Sequence, residues 1–155
     1  MQVDFMYPDD PAPQAMGFAL AGSFADPLAA QWNECQCLFG NFPEGEPMAV
    51  RSADAYKYDV ELYPEPNIWY RLSFKANVPS KKYDATLANL STGEVFRLAT
   101  GYAFRGDKQV GPEEGLGVFA CWSYSTEDRY GRTFIDNIVL SNQPISTPVD
   151  DWSIR

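Results

Sequence analysis

The chain contains no histidine, which restricts the chemistry that its side chains could perform. Ser-His-Asp and Cys-His nucleophiles, histidine-ligated zinc and an imidazole general base are all excluded. Catalysis would have to use carboxylates, Lys, Tyr or Cys. Asp59 and Glu61 lie two residues apart, so on a strand they would share one face. A solvated strand face is the favoured interpretation of this pair, and catalysis is the alternative.

A second group of residues suits binding better than catalysis. Trp122 and Tyr124 end an apolar stretch and lead into a polar segment that contains Glu127, Asp128 and Arg129. An aromatic ring can stack on the C–H face of a sugar, while polar groups at the rim bond its hydroxyls. These five residues are therefore predicted to bind a ligand. Packing of Trp122 in the core is the competing interpretation.

Two arginines in the middle of the chain complete the predicted ligand-binding set. Arg71 and Arg97, together with Lys75, could line a groove for acidic polysaccharide, but they equally fit a salt-bridged outer sheet face. The chain carries 12 Lys and Arg against 21 Asp and Glu, a net charge of −9. We therefore expect neutral glycans to bind better than sulfated or uronate polymers unless Arg71, Arg97 and Arg129 converge.

Charge and composition exclude several other classes of protein. Nucleic acids and anionic membranes are disfavoured as partners, because phosphate binding requires clustered Lys and Arg. No apolar run approaches the roughly 20 residues needed to span a bilayer. With 155 residues, 45% of them hydrophobic, the chain can form one folded domain. The first residues lack the pattern of a signal peptide, which fits either a cytosolic protein or a domain of a longer extracellular one.

Three cysteines leave the redox state open. Cys35 and Cys37 would point to the same face of a strand, and Cys121 is distant in sequence. One disulfide from Cys121 to either of them is possible. Three reduced, buried cysteines are the favoured interpretation.

The elements that position these residues are short strands. The clearest covers Trp69 to Ala76, where Tyr70, Leu72 and Phe74 share one face, and Trp69 at its start is expected in the core. A second alternating stretch ends at Leu90, and the turn 91–94 returns the chain to a further strand. Strands are also predicted at 1–5, 16–24, 33–39, 55–63, 95–99, 115–124 and 133–140.

About ten strands without a convincing helical period predict an all-β, two-sheet antiparallel sandwich or barrel. Residues 1–142 are predicted to form this single domain, and residues 143–155 a C-terminal extension or linker.

The order of motifs resembles that of concanavalin A-like, laminin-G-like jelly rolls. The segment NIWYRLSF at 67–74 is followed by YDATL at 83–87, and the chain closes with GLGVF at 115–119 and FIDNIVL at 134–140. The resemblance implies a two-sheet jelly roll that binds carbohydrate or acts in adhesion, and in some members an enzyme. The E-x-D-x-E pattern of laminarinase-like enzymes and the Q-[IV]-H pattern of alginate-lyase-like ones do not occur.

The resemblance also raises a structural calcium ion as a cofactor. The first and last strands of such jelly rolls usually neighbour each other, which would bring Asp4 and Asp136 together. Asp136 is expected to share a face with Phe134 and Ile138, where it needs a turn, an arginine or an ion as partner. A hydrogen-bonded structural aspartate is favoured over calcium.

The function predicted from these observations is a non-catalytic carbohydrate-binding or adhesive module. A polysaccharide-active hydrolase or lyase and a purely structural sandwich are the alternatives. The oligomeric state is left open.

Overall fold

The computed structural model describes residues 1–9, 15–22, 35–41, 47–105, 115–124 and 132–142. Within these ranges the secondary structure is entirely β, and no helix is long and apolar enough to cross a membrane. The strands are β1 (Gln2–Met6), β2 (Ala15–Ala21), β3 (Cys37–Asn41), β4 (Ala49–Ser52), β5 (Ala55–Lys57), β6 (Tyr70–Asn77), β7 (Lys82–Asn89), β8 (Val95–Ala103), β9 (Val118–Tyr124) and β10 (Phe134–Val139).

The strands form two antiparallel five-stranded sheets, which confirms the all-β sandwich. Sheet A has the order β10-β1-β6-β7-β8, and sheet B has the order β5-β4-β3-β2-β9. The first and last strands are neighbours, as the resemblance implied, and Asp4 lies directly opposite Asp136. The two closing strands β9 and β10 lie in different sheets.

Side chains alternate between the two faces of β6 and β7, and one set of them lies inside the sandwich. Tyr70, Leu72 and Phe74 are buried, and their partners Ala85 and Leu87 on β7 are buried with them. The turn between β7 and β8 is closed by Asn89, whose side chain accepts hydrogen bonds from the backbone of Ser91 and Thr92. The hairpin predicted from the sequence is therefore confirmed.

Aromatic rings from both sheets meet around Phe5. Its ring centroid lies 4.9 Å from that of Phe18 and 6.0 Å from that of Phe39, both in sheet B. On its own sheet it lies 5.8 Å from Tyr70. Because Phe5, Phe18 and Phe39 have almost no exposed surface, they bury large apolar areas where the sheets pack together.

The core also corrects the placement of Trp69. Ile68 and Tyr70 both pack against the core, so alternation turns the intervening Trp69 to the opposite side, where it is only half-buried. The same alternation puts Arg71 on that outer side. The expectation that Trp69 belongs to the core is therefore wrong, and Tyr70 takes that role.

Two other expectations fail for local reasons. The strand predicted over 55–63 stops at Lys57. Strand β4 (Ala49–Ser52) was not predicted, because turn residues interrupt the pattern before it.

Cys35 precedes β3 and packs with Ala19 and Leu38 on one side of sheet B, whereas Cys37 lies in the core on the other side. All three cysteines are free, but Cys121 is exposed rather than buried. Residues 143–155, the predicted extension, lie outside the described residues.

The inward placement of Phe5 and the outward placement of Trp69 predict unequal stability losses. Phe5→Ala should cost about 3–5 kcal/mol in the free energy of unfolding, as expected for a large-to-small change at a fully buried ring. Trp69→Ala should cost clearly less, because its ring is only half-buried. Denaturant unfolding of both variants measures the difference, and equal losses would place Trp69 in the core.

Candidate functional site

The outer face of sheet A, which we call the outer A face, gathers four of the residues singled out from the sequence. Alternation in β1, β6, β8 and β10 places Asp4, Arg71, Arg97 and Asp136 on this side, away from the core. They come from positions up to 132 residues apart, and the neighbouring terminal strands bring them onto one surface.

Three apolar side chains lie next to one another across one end of this face. Phe134 on β10 is paired with Met6 on β1, and Trp69 directly precedes Tyr70, the residue of β6 that is paired with Phe5. Phe134 is 46% exposed, and Met6 and Trp69 are half-buried. We call these three residues the apolar row. Accessible aromatic surface of this kind can stack on an apolar ligand face.

A buried charge cluster adjoins the apolar row. The Arg71 guanidinium donates two hydrogen bonds to Asp4, from Nε to Oδ1 at 2.7 Å and from Nη2 to Oδ2 at 2.9 Å. Asn137 donates a third from Nδ2 to Oδ2 at 2.9 Å. The Asp4 side chain is 1% exposed and that of Arg71 13%, so the pair is held away from water. The hydrogen bond to Asp4 raises the pKa of Arg71, which therefore stays charged.

A β-bulge in the second half of β10 brings Asn137 to this cluster. The register between β1 and β10 shifts between Gln2 and Asp4, and Asn137 adopts a φ of 49°. Asn tolerates this left-handed conformation better than most residues. The bulge ends the simple alternation, so Asp136 shares a face with Phe134, but Ile138 falls on the other side.

Asp4 and Asp136, the predicted calcium ligands, lie opposite each other on neighbouring strands. Each carboxylate accepts hydrogen bonds from other groups of the protein. Asp4 accepts the three bonds described above, and Asp136 Oδ1 accepts a hydrogen bond from the backbone N–H of Asn137 at 2.8 Å. No group of three or more Cys, Asp or Glu suited to a metal ion occurs among the described residues. The Arg71 guanidinium supplies at Asp4 the positive charge that a cation would supply. Both aspartates are therefore hydrogen-bonded to groups of the protein itself.

The far end of the outer A face carries basic side chains. Lys75 on β6, Lys82 on β7 and Arg97 on β8 are all exposed. They border a concavity that is also lined by Ser73 and Thr86. We call the three cations the basic corner.

The remaining predicted ligand-binding residues belong elsewhere. Trp122 lies on the outer side of sheet B, where it packs against the cluster of Ala19, Cys35 and Leu38. Its ring occupies the space that a Cβ on Gly17 would need, so only glycine fits beneath it. Trp122 is half-buried there, which combines packing with some accessible surface. The Tyr124 side chain and Glu127, Asp128 and Arg129 lie outside the described residues, and so does any convergence of Arg129 with Arg71 and Arg97.

Asp59 and Glu61 do not form a paired acid site on a strand. Asp59 accepts a hydrogen bond from the Tyr102 hydroxyl at 2.7 Å, and Glu61 accepts one from Tyr63 at 2.6 Å. Both acids follow β5 in non-strand backbone. Desolvation and the bond to Asp59 raise the pKa of Tyr102 to about 12, which keeps it protonated and unsuited to act as a base near neutral pH.

Comparisons with models of protein families, with curated proteins and with solved structures gave no match to this chain. The assignment of function therefore depends on the geometry of the outer A face.

The pairing of Asp4 with Arg71 predicts a strong coupling between the two side chains. Arg71→Met leaves a buried, uncompensated carboxylate and should cost about 3–5 kcal/mol in the free energy of unfolding. Replacing both, as Asp4→Leu with Arg71→Met, should recover much of that loss, because no charge remains buried. A double-mutant cycle by denaturant unfolding measures the coupling. Additive losses would show that the two charges are independent.

Removal of divalent cations tests the calcium expectation directly. Because Asp4 is already bonded to Arg71 and Asn137, we expect EDTA and excess calcium to leave the melting temperature unchanged. A calcium ion bound only by the folded protein would instead stabilise it by mass action, so EDTA would lower the melting temperature. Such a decrease, reversed by calcium, would show that a metal site exists.

Proposed function

We propose that the protein is a non-catalytic carbohydrate-binding or adhesive module of concanavalin A-like jelly-roll type, and that the outer A face binds the glycan. The observation that carries the proposal is the position of Trp69. It is partly exposed just before the start of β6, two residues before Arg71, which pairs with Asp4.

A sugar ring needs both kinds of surface that meet here. Its C–H face is apolar and stacks on aromatic side chains, whereas its hydroxyls need hydrogen-bonding groups at the rim. The apolar row supplies Trp69 and Phe134. Asp136 and the polar groups of Ser73 and Thr86 lie beyond the row on the same face. The proposed contact is therefore mixed, with stacking at one end of the face and hydrogen bonding along it.

The Arg71–Asp4–Asn137 cluster holds this surface in place. Three hydrogen bonds tie side chains from β6, β1 and β10 together. A surface that is ordered before binding loses less conformational entropy when a ligand arrives. We therefore assign Asp4 and Asn137 a positioning role, and Arg71 a position at the edge of the contact surface.

Trp122 is the competing platform, on the other sheet. Its ring lies over Gly17 and packs against a buried cluster, so its loss would disturb sheet B as well as any ligand. The outer A face is the better candidate because it combines accessible aromatic surface with polar groups in a single described surface. For the alternative of a hydrolase or lyase, the hydrogen bonds from Tyr63 and Tyr102 support a structural role of Glu61 and Asp59.

The proposal predicts different outcomes for the two tryptophans. Trp69→Ala should weaken binding to oligosaccharides about tenfold, which corresponds to roughly 1.4 kcal/mol of lost contact between the indole and the apolar face of a sugar. Trp122→Phe, which keeps a ring over Gly17, should bind like the wild type. A glycan array followed by calorimetric titration of the best oligosaccharide measures both.

Melting curves of each variant are the control for folding. Trp69→Ala should melt near the wild type, so the loss of binding would be local. If Trp122→Phe loses binding while Trp69→Ala retains it, the glycan site lies on sheet B and the outer A face is not the binding surface. If the wild type binds no glycan at millimolar concentration, the module is not carbohydrate-binding and the structural alternative stands.

A further inference from the structure

We infer that the glycan recognised by the outer A face is an acid-bearing polysaccharide, whose carboxylate or sulfate groups are held by Lys75, Lys82 and Arg97. This inference rests on the proposed function and narrows the class of glycan.

The first reason is that, among the described residues, these three cations have no acidic partner. All three are exposed, and none of their side chains forms an ion pair or hydrogen bond with another residue in the described part of the chain. Arg71, by contrast, is neutralised by Asp4. The acid nearest in the ladder is Asp84, opposite Lys75, and it accepts a hydrogen bond from the Gly101 N–H at 2.7 Å. The basic corner therefore keeps a local excess of positive charge.

The second reason is that this local excess is unusual for the chain as a whole. With 12 basic against 21 acidic residues, an average surface of this protein is negative. Three cations in one corner of the sheet face, with Asp84 as the acid that the described residues place among them, oppose that average and create a positive region. Such a region attracts anions over about a Debye length, roughly 8–10 Å at moderate ionic strength.

The spacing favours a polymer over a single small anion. Lys75 and Lys82 lie on adjacent strands, and Arg97 is paired with Thr86 on the third strand of the group. Strand spacings of about 4.8 Å and about 3.4 Å per residue put the three Cα atoms roughly 8–14 Å apart. With the side chains extended from the sheet, each cation can pair with a separate acid group. A polymer that carries several acid groups along one chain can supply them.

The shape of the surface also fits a glycan. Ser73 and Thr86 lie between the cations in the same concavity, and their hydroxyls can bond sugar hydroxyls. The apolar row lies on the same face, four residues from Ser73 along β6 and four residues from its partner Gln2 along β1. A polysaccharide that crosses the sheet would contact Trp69 with one sugar and the basic corner with others.

The test compares matched acidic and neutral probes on the whole chain. The probes are oligogalacturonate, its fully methyl-esterified counterpart and a sulfated galactan oligosaccharide of similar length. Isothermal titration at low and high salt gives each dissociation constant. The wild type should bind at least one acidic probe about tenfold or more tighter than the ester, as expected for hydrogen bonds to charged groups, and salt should reduce the difference. The two acidic probes distinguish carboxylate from sulfate.

Variants assign the preference to the basic corner. The triple variant Lys75→Gln, Lys82→Gln, Arg97→Gln should lose the preference, so that acidic and neutral probes bind about equally. Lys57→Gln, an exposed lysine on β5 of the other sheet, should keep it. Melting curves show whether each variant is folded, and the single Arg97→Gln variant replaces the triple one if the latter unfolds.

The outcomes separate this inference from the function on which it rests. If the ester binds as tightly as the acids and the triple variant changes nothing, the acid-bearing ligand is wrong while glycan binding stands. If no glycan probe binds, both the acid-bearing ligand and the proposed glycan-binding function are wrong. Tighter binding of a single-stranded oligonucleotide or of phosphatidylserine vesicles than of either acidic glycan would also overturn the inference, because the cations would then serve phosphate.

Discussion

The packing of aromatic rings between the two sheets is the constraint on which the other features depend. Phe5 contacts Phe18 and Phe39 across the interface and Tyr70 beside it, and the three phenylalanines are among the largest fully buried side chains of the described residues. Because side chains alternate along a strand, fixing Phe5 and Tyr70 inward also fixes Asp4 and Arg71 outward. A one-residue slip of either strand would exchange the two sets and is excluded by the same packing.

The charge pair and the hydrogen bonds on the outer side of sheet A then form between residues that are remote in sequence but lie on neighbouring strands. Burial of Asp4 would be costly without a partner, and Arg71 and Asn137 provide one from β6 and β10. The bulge at Asn137 is the local distortion that makes the third bond possible. Stability and surface chemistry are therefore linked, because the hydrogen bonds that tie the first and last strands to β6 also order the residues beside Trp69.

The outer sides of the two sheets differ in which residues they expose. Sheet B places Ala19, Leu38 and Cys35 in a buried cluster and lays the Trp122 ring over Gly17. Sheet A instead exposes a mixed surface, apolar at one end and basic at the other. This asymmetry is the physical basis for proposing sheet A as the binding surface, since such a surface must have accessible groups that are not already satisfied by the protein.

Local pattern was sufficient for the class of fold and for most strands. Alternating Tyr70, Leu72 and Phe74, the turn at Asn89, and the lack of a helical period all follow from residue types a few positions apart. The same alternation places Trp69 on the outer side with Arg71. The expectation that Trp69 lies in the core came from the general preference of tryptophan for buried positions. Sequence could not reveal that Asp4 is bonded to Arg71, 67 residues away, or that Lys75 and Arg97 lie near Lys82 and apart from the Arg71–Asp4 pair. Those facts depend on which strands become neighbours and in what register, and only the packing of the two sheets decides that.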